Sequence, residues 1–127
     1  MAESDLLKSI RIDWTSSGGR LFRNNVGTGW TGAMIRVPEG VLLRNPRPLR
    51  AGLVRGSSDL IGWTCVEITP DMVGRTVAVF TAIEGKTGKV QTTDEQINFL
   101  RAVANAGGVA RVARDRGDGI VWEMPWV

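Results

Sequence analysis

Residues 77–86 read Val-Ala-Val-Phe-Thr-Ala-Ile-Glu-Gly-Lys, and this stretch decides the predicted fold. Its first seven residues are nearly all apolar, which favours a central strand that is buried on both faces. Glu84 and Lys86 end the stretch two residues apart, so their side chains are expected to leave the same face of the strand. Charged groups at the end of a central strand should lie in a cleft, because burying them without partners is costly.

The chain before this stretch is predicted to hold one helix, several strands and a long loop. The apolar spacing predicts a short helix over residues 3–12 and a strand over residues 21–26, with a short extended piece at residues 33–37. Prolines make the stretch 38–50 an expected irregular loop. A strand over residues 58–68 would form a long hairpin with the central strand.

A helix and a further strand are predicted after the central strand. Thr93 and Gln96 have the spacing of a capping box, which predicts a helix that begins there and ends before Gly107. A strand over residues 109–113 follows. The order α-β-β-β-α-β predicts an α/β fold, with a small mixed central sheet flanked by helices, in a single domain over residues 1–127.

The composition excludes several kinds of chemistry. The chain has no histidine and one cysteine, so it cannot form a Ser-His-Asp triad or a Cys-His pair, and it lacks the usual zinc ligands. Catalysis would have to use carboxylates, lysine, hydroxyls or a hard metal ion. The sequence contains neither a membrane-length apolar run nor a signal-like start, so we expect a cytoplasmic protein without a membrane partner.

Basic residues are concentrated in one segment of the chain. Residues 36–55 contain five arginines and one acidic residue, Glu39, although the net charge of the whole chain is only +3. Such a cluster is the electrostatic pattern expected for phosphate contacts. An ordinary solvated loop explains the cluster equally well.

Asp59 offers a second carboxylate at the start of the strand expected beside the central one. Carboxylates from two neighbouring strands suit a hard divalent cation, which takes oxygen ligands and keeps water for a substrate phosphate. A nearby lysine would stabilise phosphate charge or orient the attacking water. Asp59, Glu84 and Lys86 therefore predict metal-dependent phosphodiester hydrolysis. The alternative is a solvated charge pair, since Glu-x-Lys is a common sequence.

Four blocks of the sequence resemble the virus-type replication-repair nuclease (VRR-NUC) group of the PD-(D/E)xK nucleases. They are Leu-Phe-Arg-Asn-Asn-Val-Gly at 21–27, Gly-Ser-Ser-Asp-Leu-Ile-Gly at 56–62, Ile-Glu-Gly-Lys-Thr at 83–87, and Glu95-Gln96 with Phe99. The resemblance implies a restriction-endonuclease-like core and a structure-specific endonuclease that uses Mg²⁺ or Mn²⁺. Resemblance to stand-alone phage or prophage members also implies a homodimer that cuts branched DNA, such as four-way junctions, in a bacterial cytoplasm.

The resemblance assigns roles to individual residues. Asp59 and Glu84 match the metal-binding acids, and the carbonyl of Gly85 would be a further ligand. Lys86 matches the catalytic lysine. Gln96 matches the active-site glutamine, a role that is compatible with its place in the capping box. Gly85 departs from the family, which usually has an aliphatic residue there. It is expected to loosen the strand end, which leaves both functional side chains in place and leaves open whether activity is reduced.

Other roles are less specific. The family's acid on the first helix maps to Glu3 or, as a fallback, to Asp5, and an ordinary helix-start role for these acids is equally open. The candidate DNA contacts are Arg23, Asn24, Asn25, Arg44, Arg47, Arg50 and Lys89. For residues 23–25 the alternatives are that they help to shape the site or form a turn. A catalytically weak or inactive nucleic-acid-binding module on the same fold is the alternative function.

Overall fold

The computed structural model describes residues 2–127. In chain order its elements are α1 (Glu3–Ser16), β1 (Arg20–Arg23), β2 (Gly27–Val37), β3 (Gly40–Ala51), β4 (Leu60–Trp63), a short 3₁₀ helix (Pro70–Met72), β5 (Thr81–Thr87), α2 (Asp94–Asn105), β6 (Val109–Asp115) and β7 (Ile120–Glu123). The strands form three sheets, β1-β4, β2-β3 and β5-β6-β7. The prediction of a mixed α/β fold is confirmed. Neither α-helix is long and apolar enough to cross a membrane.

The element order agrees with the predicted one when three strands are set aside. Without β2, β3 and β7, the order is α-β-β-β-α-β. The mixed sheet is β5-β6-β7, in which β6 runs parallel to β5 and antiparallel to β7. Of the four predicted strands it contains only β5 and β6, because β1 and β4 pair with each other in a sheet of their own. The predicted hairpin between residues 58–68 and the central strand is therefore wrong.

β5 is an edge strand and not a central one. It pairs with β6 alone in its sheet, and its burial alternates, with Glu84 and Lys86 half-buried and Ile83 53% exposed. The apolar residues 77–80 precede the strand and lie outside it. The prediction of a strand buried on both faces is therefore wrong. An apolar run occurs both in a strand that is buried on two faces and in a segment outside the sheet that packs against the core. The run alone does not show which of the two is present.

The core lies where α2 packs on β5 and β6. Its buried residues are Leu100 and Val103 on α2, Ala110 and Val112 on β6, and Trp63 at the end of β4. The amphipathic stripe of α2 supplies one side of this core, and the alternation of β6 supplies the other. Burial of the leucine and of each valine in this core contributes about 1.5–3 kcal/mol.

An aromatic cluster joins the β1-β4 sheet to the rest of the core. The Trp63 ring lies 5.7 Å from that of Phe22 and 5.0 Å from that of Phe80, measured between centroids. Phe22 in turn lies 5.9 Å from Phe99 on α2. These tilted arrangements are the geometry that aromatic pairs prefer. The cluster therefore connects the strand that follows Asp59 to the region of β5 and α2 through side chains and not through a strand ladder.

α1 is attached to β4 at a close approach that requires glycine. Trp14 Nε1 donates to the carbonyl of Trp63 at 3.2 Å. A Cβ atom at Gly19 would lie 2.6 Å from that carbonyl oxygen and 2.7 Å from the Trp14 ring, so a larger residue would separate the two elements. The helix is longer than the predicted 3–12, since it continues to Ser16.

β2 and β3 form a long hairpin, here called the arm and defined as residues 27–51. The strands are joined by a two-residue turn, Pro38-Glu39, and their register shifts between Thr31 and Ala33. The prediction of an irregular loop over residues 38–50 is wrong, since most of that stretch is β3. Prolines are tolerated there because each strand of a two-stranded ribbon has one open edge, on which no ladder N–H is required.

Candidate active site

Glu84, Lys86 and Gln96 lie together where β5 ends and α2 begins. Glu84 Oε1 accepts a hydrogen bond from Gln96 Nε2 at 2.8 Å and lies 3.7 Å from Lys86 Nζ. The period of β5 puts the two charged side chains on one face, as predicted, and the first turn of α2 brings Gln96 to the same place. The Lys86 side chain is only 12% exposed, so its ammonium is held against the carboxylate in a partly desolvated position.

Gln96 carries out two structural tasks at once. Its Oε1 accepts from the backbone N–H of Thr93 at 2.9 Å, and its own backbone N–H donates to Thr93 Oγ1 at 3.2 Å, so the predicted capping box is confirmed. Its Nε2 then donates to Glu84. Glutamate also completes capping boxes, but it has no donor for a neighbouring carboxylate. Gln96 therefore links the start of α2 directly to the carboxylate of β5.

A shallow cleft of about 280 Å³ adjoins this contact. Its lining residues are Ala82, Ile83, Glu84, Glu95, Gln96, Phe99 and Leu100. The lining is mainly apolar and includes the two carboxylates of Glu84 and Glu95. Such a surface can receive a small group at Glu84, while the remainder of a larger ligand would have to lie outside.

Asp59 lies just before β4 and is exposed. Its backbone carbonyl accepts from the N–H of Asn24 at 2.8 Å, which continues the pairing of β1 with β4 by one residue. Because β4 pairs with β1 and not with β5, no shared ladder puts Asp59 beside Glu84. The expected side-by-side placement of these two acids on neighbouring hydrogen-bonded strands is therefore wrong.

The predicted set of metal ligands is not assembled as a cluster of acids. Among residues 2–127, no three acidic or cysteine side chains lie close enough together to hold a metal ion. Asp59, Glu84 and the first-turn acids of α1, Glu3 and Asp5, therefore do not form one three-acid group. A hard ion such as Mg²⁺ is commonly held by one or two carboxylates, with water and substrate phosphate as its other ligands. Glu84 could therefore hold an ion whose remaining ligands are water and substrate phosphate. The acidic side chains do not fit an ion that is coordinated by the protein alone.

Asn24 has a structural role, which is the alternative to DNA contact that the sequence left open. It is buried, and its Nδ2 donates to Ser57 Oγ and to the Ser58 carbonyl, both at 2.8 Å. Its Oδ1 accepts from the N–H of Leu53 at 2.9 Å. With its polar atoms occupied inside the protein, Asn24 cannot contact DNA, so that prediction is wrong. Asn24 instead holds the segment that leads into Asp59.

The other predicted DNA contacts are exposed. Arg23 Nη2 donates to Asn25 Oδ1 at 3.2 Å on the surface. Arg44, Arg47 and Arg50 lie on β3, in the arm, and Lys89 lies in the turn between β5 and α2.

Sequence reasoning missed Arg114, which organises the turn behind the site. Arg114 is 6% exposed, and its Nη1 donates to the carbonyls of Gly88 at 3.0 Å and Val90 at 2.7 Å. Its Nε lies 3.0 and 3.1 Å from the two carboxylate oxygens of Glu123. The available signal was the alternation of β6, in which Arg114 shares the buried face with Ala110 and Val112. A charged residue on an apolar face indicates a buried ion pair.

No family model, curated protein or solved structure matches this chain.

Proposed function

We propose that the protein is a metal-dependent nuclease of the PD-(D/E)xK superfamily, of the VRR-NUC type, which hydrolyses phosphodiester bonds in DNA. The observation that carries the proposal is the contact of three side chains, in which the Glu84 carboxylate meets the Gln96 amide and the Lys86 ammonium. A carboxylate and a lysine two residues apart on a strand, with a glutamine from the following helix, are the residue types that the family resemblance assigns to its active site.

Each of the three side chains has a distinct task in this proposal. The hydrogen bond from Gln96 orients the Glu84 carboxylate, which would hold Mg²⁺ or Mn²⁺ together with the carbonyl of Gly85, with water and substrate phosphate as the other ligands. The ion would activate the attacking water and screen the phosphate charge. The Lys86 ammonium would stabilise negative charge on the phosphate, and its partial burial strengthens that attraction.

The connection from β5 to β6 supports a restriction-endonuclease-like core. β5 and β6 are parallel and are joined by α2, which makes them a β-α-β unit. This arrangement puts Glu84 and Lys86 on one strand of the unit and Gln96 at the start of its helix. We extend the proposal to branched DNA as substrate, four-way junctions among them, and to a homodimer as the active form.

A nucleic-acid-binding module without cleavage activity is the second candidate. The absence of a three-acid group among residues 2–127 favours it, as does glycine at position 85 of the catalytic strand. The module would bind DNA in a salt-dependent manner and leave it intact when Mg²⁺ or Mn²⁺ is added.

The test is cleavage of labelled linear, flap and four-way-junction DNA with Mg²⁺, with Mn²⁺ and with a chelator. Glu84→Gln and Lys86→Ala should each lower the cleavage rate at least about a hundredfold, the effect typical of removing one transition-state contact. Lys8→Ala, an exposed lysine on α1, is the matched control and should cleave as the wild type does. Cleavage that persists in both site variants would overturn the site, and binding without cleavage would favour the second candidate. Sedimentation of the free protein tests the homodimer.

A further inference from the structure

The arm, residues 27–51, exposes large apolar side chains on both of its faces. Its extensive packing is between its own two strands. The exposed apolar residues are Trp30, Met34, Val41, Leu42 and Leu49. A lone two-stranded hairpin is only marginally stable in water, so a ribbon of this length is expected to have a binding partner.

The charge of the arm selects the kind of partner. The arm holds four arginines and one glutamate, which is a net +3, and the whole chain also has a net charge of +3, so the remaining residues sum to zero. Within residues 2–127, none of the four arginines takes part in a salt bridge or a side-chain hydrogen bond. A second copy of the chain would offer an arm of like charge and a neutral remainder. A polyanion is the complementary partner.

Two of these arginines, Arg44 and Arg47, lie on the same face of the ribbon beside the register shift. Arg47 lies opposite Thr31 and Arg44 lies opposite Ala33, and the register shift falls between the two pairs. Thr31 and Ala33 are two apart on β2, so both pairs point to one face. The arm is concave there, with about 460 Å³ lined by Thr31, Gly32, Ala33, Arg44, Asn45, Pro46 and Arg47. No acidic residue is in that lining, and bulges commonly redirect side chains towards a ligand.

The dimensions of the arm fit one groove of duplex DNA. β2 has 11 residues, and a strand of that length spans about 35 Å. The major groove of B-form DNA admits a two-stranded β-ribbon, and about 35 Å corresponds to one helical turn. The major groove of A-form RNA is too deep and narrow for such a ribbon. Shape therefore distinguishes duplex DNA from duplex RNA as the partner.

We infer that the arm binds in the major groove of duplex DNA, with Arg44 and Arg47 at the bulge contacting the phosphates, while Arg36 and Arg50 lie on the other face of the ribbon. The inference rests on the proposed function only in taking DNA as the ligand. The arm is separate from the Glu84 site in the sequence and in the sheets, so it can bind DNA whether or not that site cleaves it.

The test measures binding of the wild-type protein, in a chelator that prevents metal-dependent cleavage, to a labelled 30-base-pair DNA duplex at several salt concentrations. Arg44→Gln with Arg47→Gln should weaken binding at least about tenfold and lower the slope of log affinity against log salt by about 2, close to one for each lost phosphate contact. Arg75→Gln with Arg101→Gln removes the same charge from exposed positions outside the arm and should leave the slope unchanged. Duplex RNA of the same sequence should bind at least about tenfold more weakly than DNA.

Three results would overturn the inference: equal losses in the two double variants, equal binding of RNA and DNA, or loss of self-association in the Arg44 and Arg47 variant, which would make the arm a contact between copies. The outcome is independent of the cleavage assay. If the protein binds DNA through the arm but never cleaves it, the nuclease proposal fails and the inference about the arm stands. If the protein cleaves DNA and its binding does not depend on the arm, the inference fails and the nuclease proposal stands.

Discussion

Replacing Arg114 by methionine should destabilise the protein strongly, because three contacts of a buried guanidinium depend on this residue. Methionine is of similar length and apolar, so it removes the charge and the donors without leaving a large cavity. The carbonyls of Gly88 and Val90 would lose their charged donor, and Glu123 would lose its closer cation. Hydrogen bonds to charged groups contribute about 1.5–3 kcal/mol each, and unpaired acceptors in a buried position add a cost.

The expected loss is about 3 kcal/mol of unfolding free energy. It lies at the lower end of the range for broken buried ion pairs, because Glu123 is 28% exposed and keeps Arg116 as a second partner. For a chain of this length, that loss corresponds to a decrease in Tm of about 10 °C.

Arg116 provides a matched control for Arg114. Its Nη2 lies 3.5 Å from the same Glu123 carboxylate, but its side chain is 49% exposed. Exposed ion pairs contribute less than about 1 kcal/mol, so Arg116→Met should lower Tm by no more than about 3 °C. Thermal unfolding followed by circular dichroism measures both. Equal, small decreases in Tm for the two variants would refute the argument that burial gives Arg114 its larger contribution.

Two further substitutions test the site. Gln96→Glu keeps a residue that can complete the capping box but sets a second carboxylate against Glu84, so it should lower the unfolding free energy by about 1 kcal/mol, measured by chemical denaturation. The exposed Gln91→Glu makes the same charge change as a control, and an equal loss of unfolding free energy in both variants would count against the contact. Gly85→Val should raise the unfolding free energy by about 0.5–1 kcal/mol and increase cleavage, because a Cβ there meets nothing within 4 Å and valine favours a strand. Gly88→Val should instead destabilise the protein, since Gly88 has equal space but a φ of +56°; if both valines have the same effect, backbone conformation does not decide the outcome.

The parts of the fold that sequence predicted well depend on neighbouring residues. Helix α2 was predicted to run from residue 93 to residue 106 and spans Asp94–Asn105, and its capping box is present with both hydrogen bonds. The common face of Glu84 and Lys86 follows from the two-residue period of any strand. A capping box or a strand period involves residues that are close in the chain. The sequence pattern is therefore enough to predict the local geometry.

The predictions that are wrong concern contacts between segments that are distant in the chain. Residues 76–80 have the composition of a strand but lie outside one, and the proline-containing stretch 38–50 is largely the strand β3. Arg114 was overlooked because its partners, Gly88, Val90 and Glu123, are 9 to 26 residues away in the chain. The type of a residue indicates whether it prefers a buried or an exposed environment. It does not identify which distant segment packs against it.

The sequence by itself determined that Glu84 and Lys86 share a face and that Gln96 begins the following helix, since strand period and capping chemistry act over a few residues. Tertiary structure alone decided that β4 pairs with β1 and leaves β5 at an edge, and that four of the clustered arginines lie on a two-stranded ribbon. The physical reason is that a strand offers the same backbone donors and acceptors to every possible partner, so its neighbour is chosen by the packing of the whole chain.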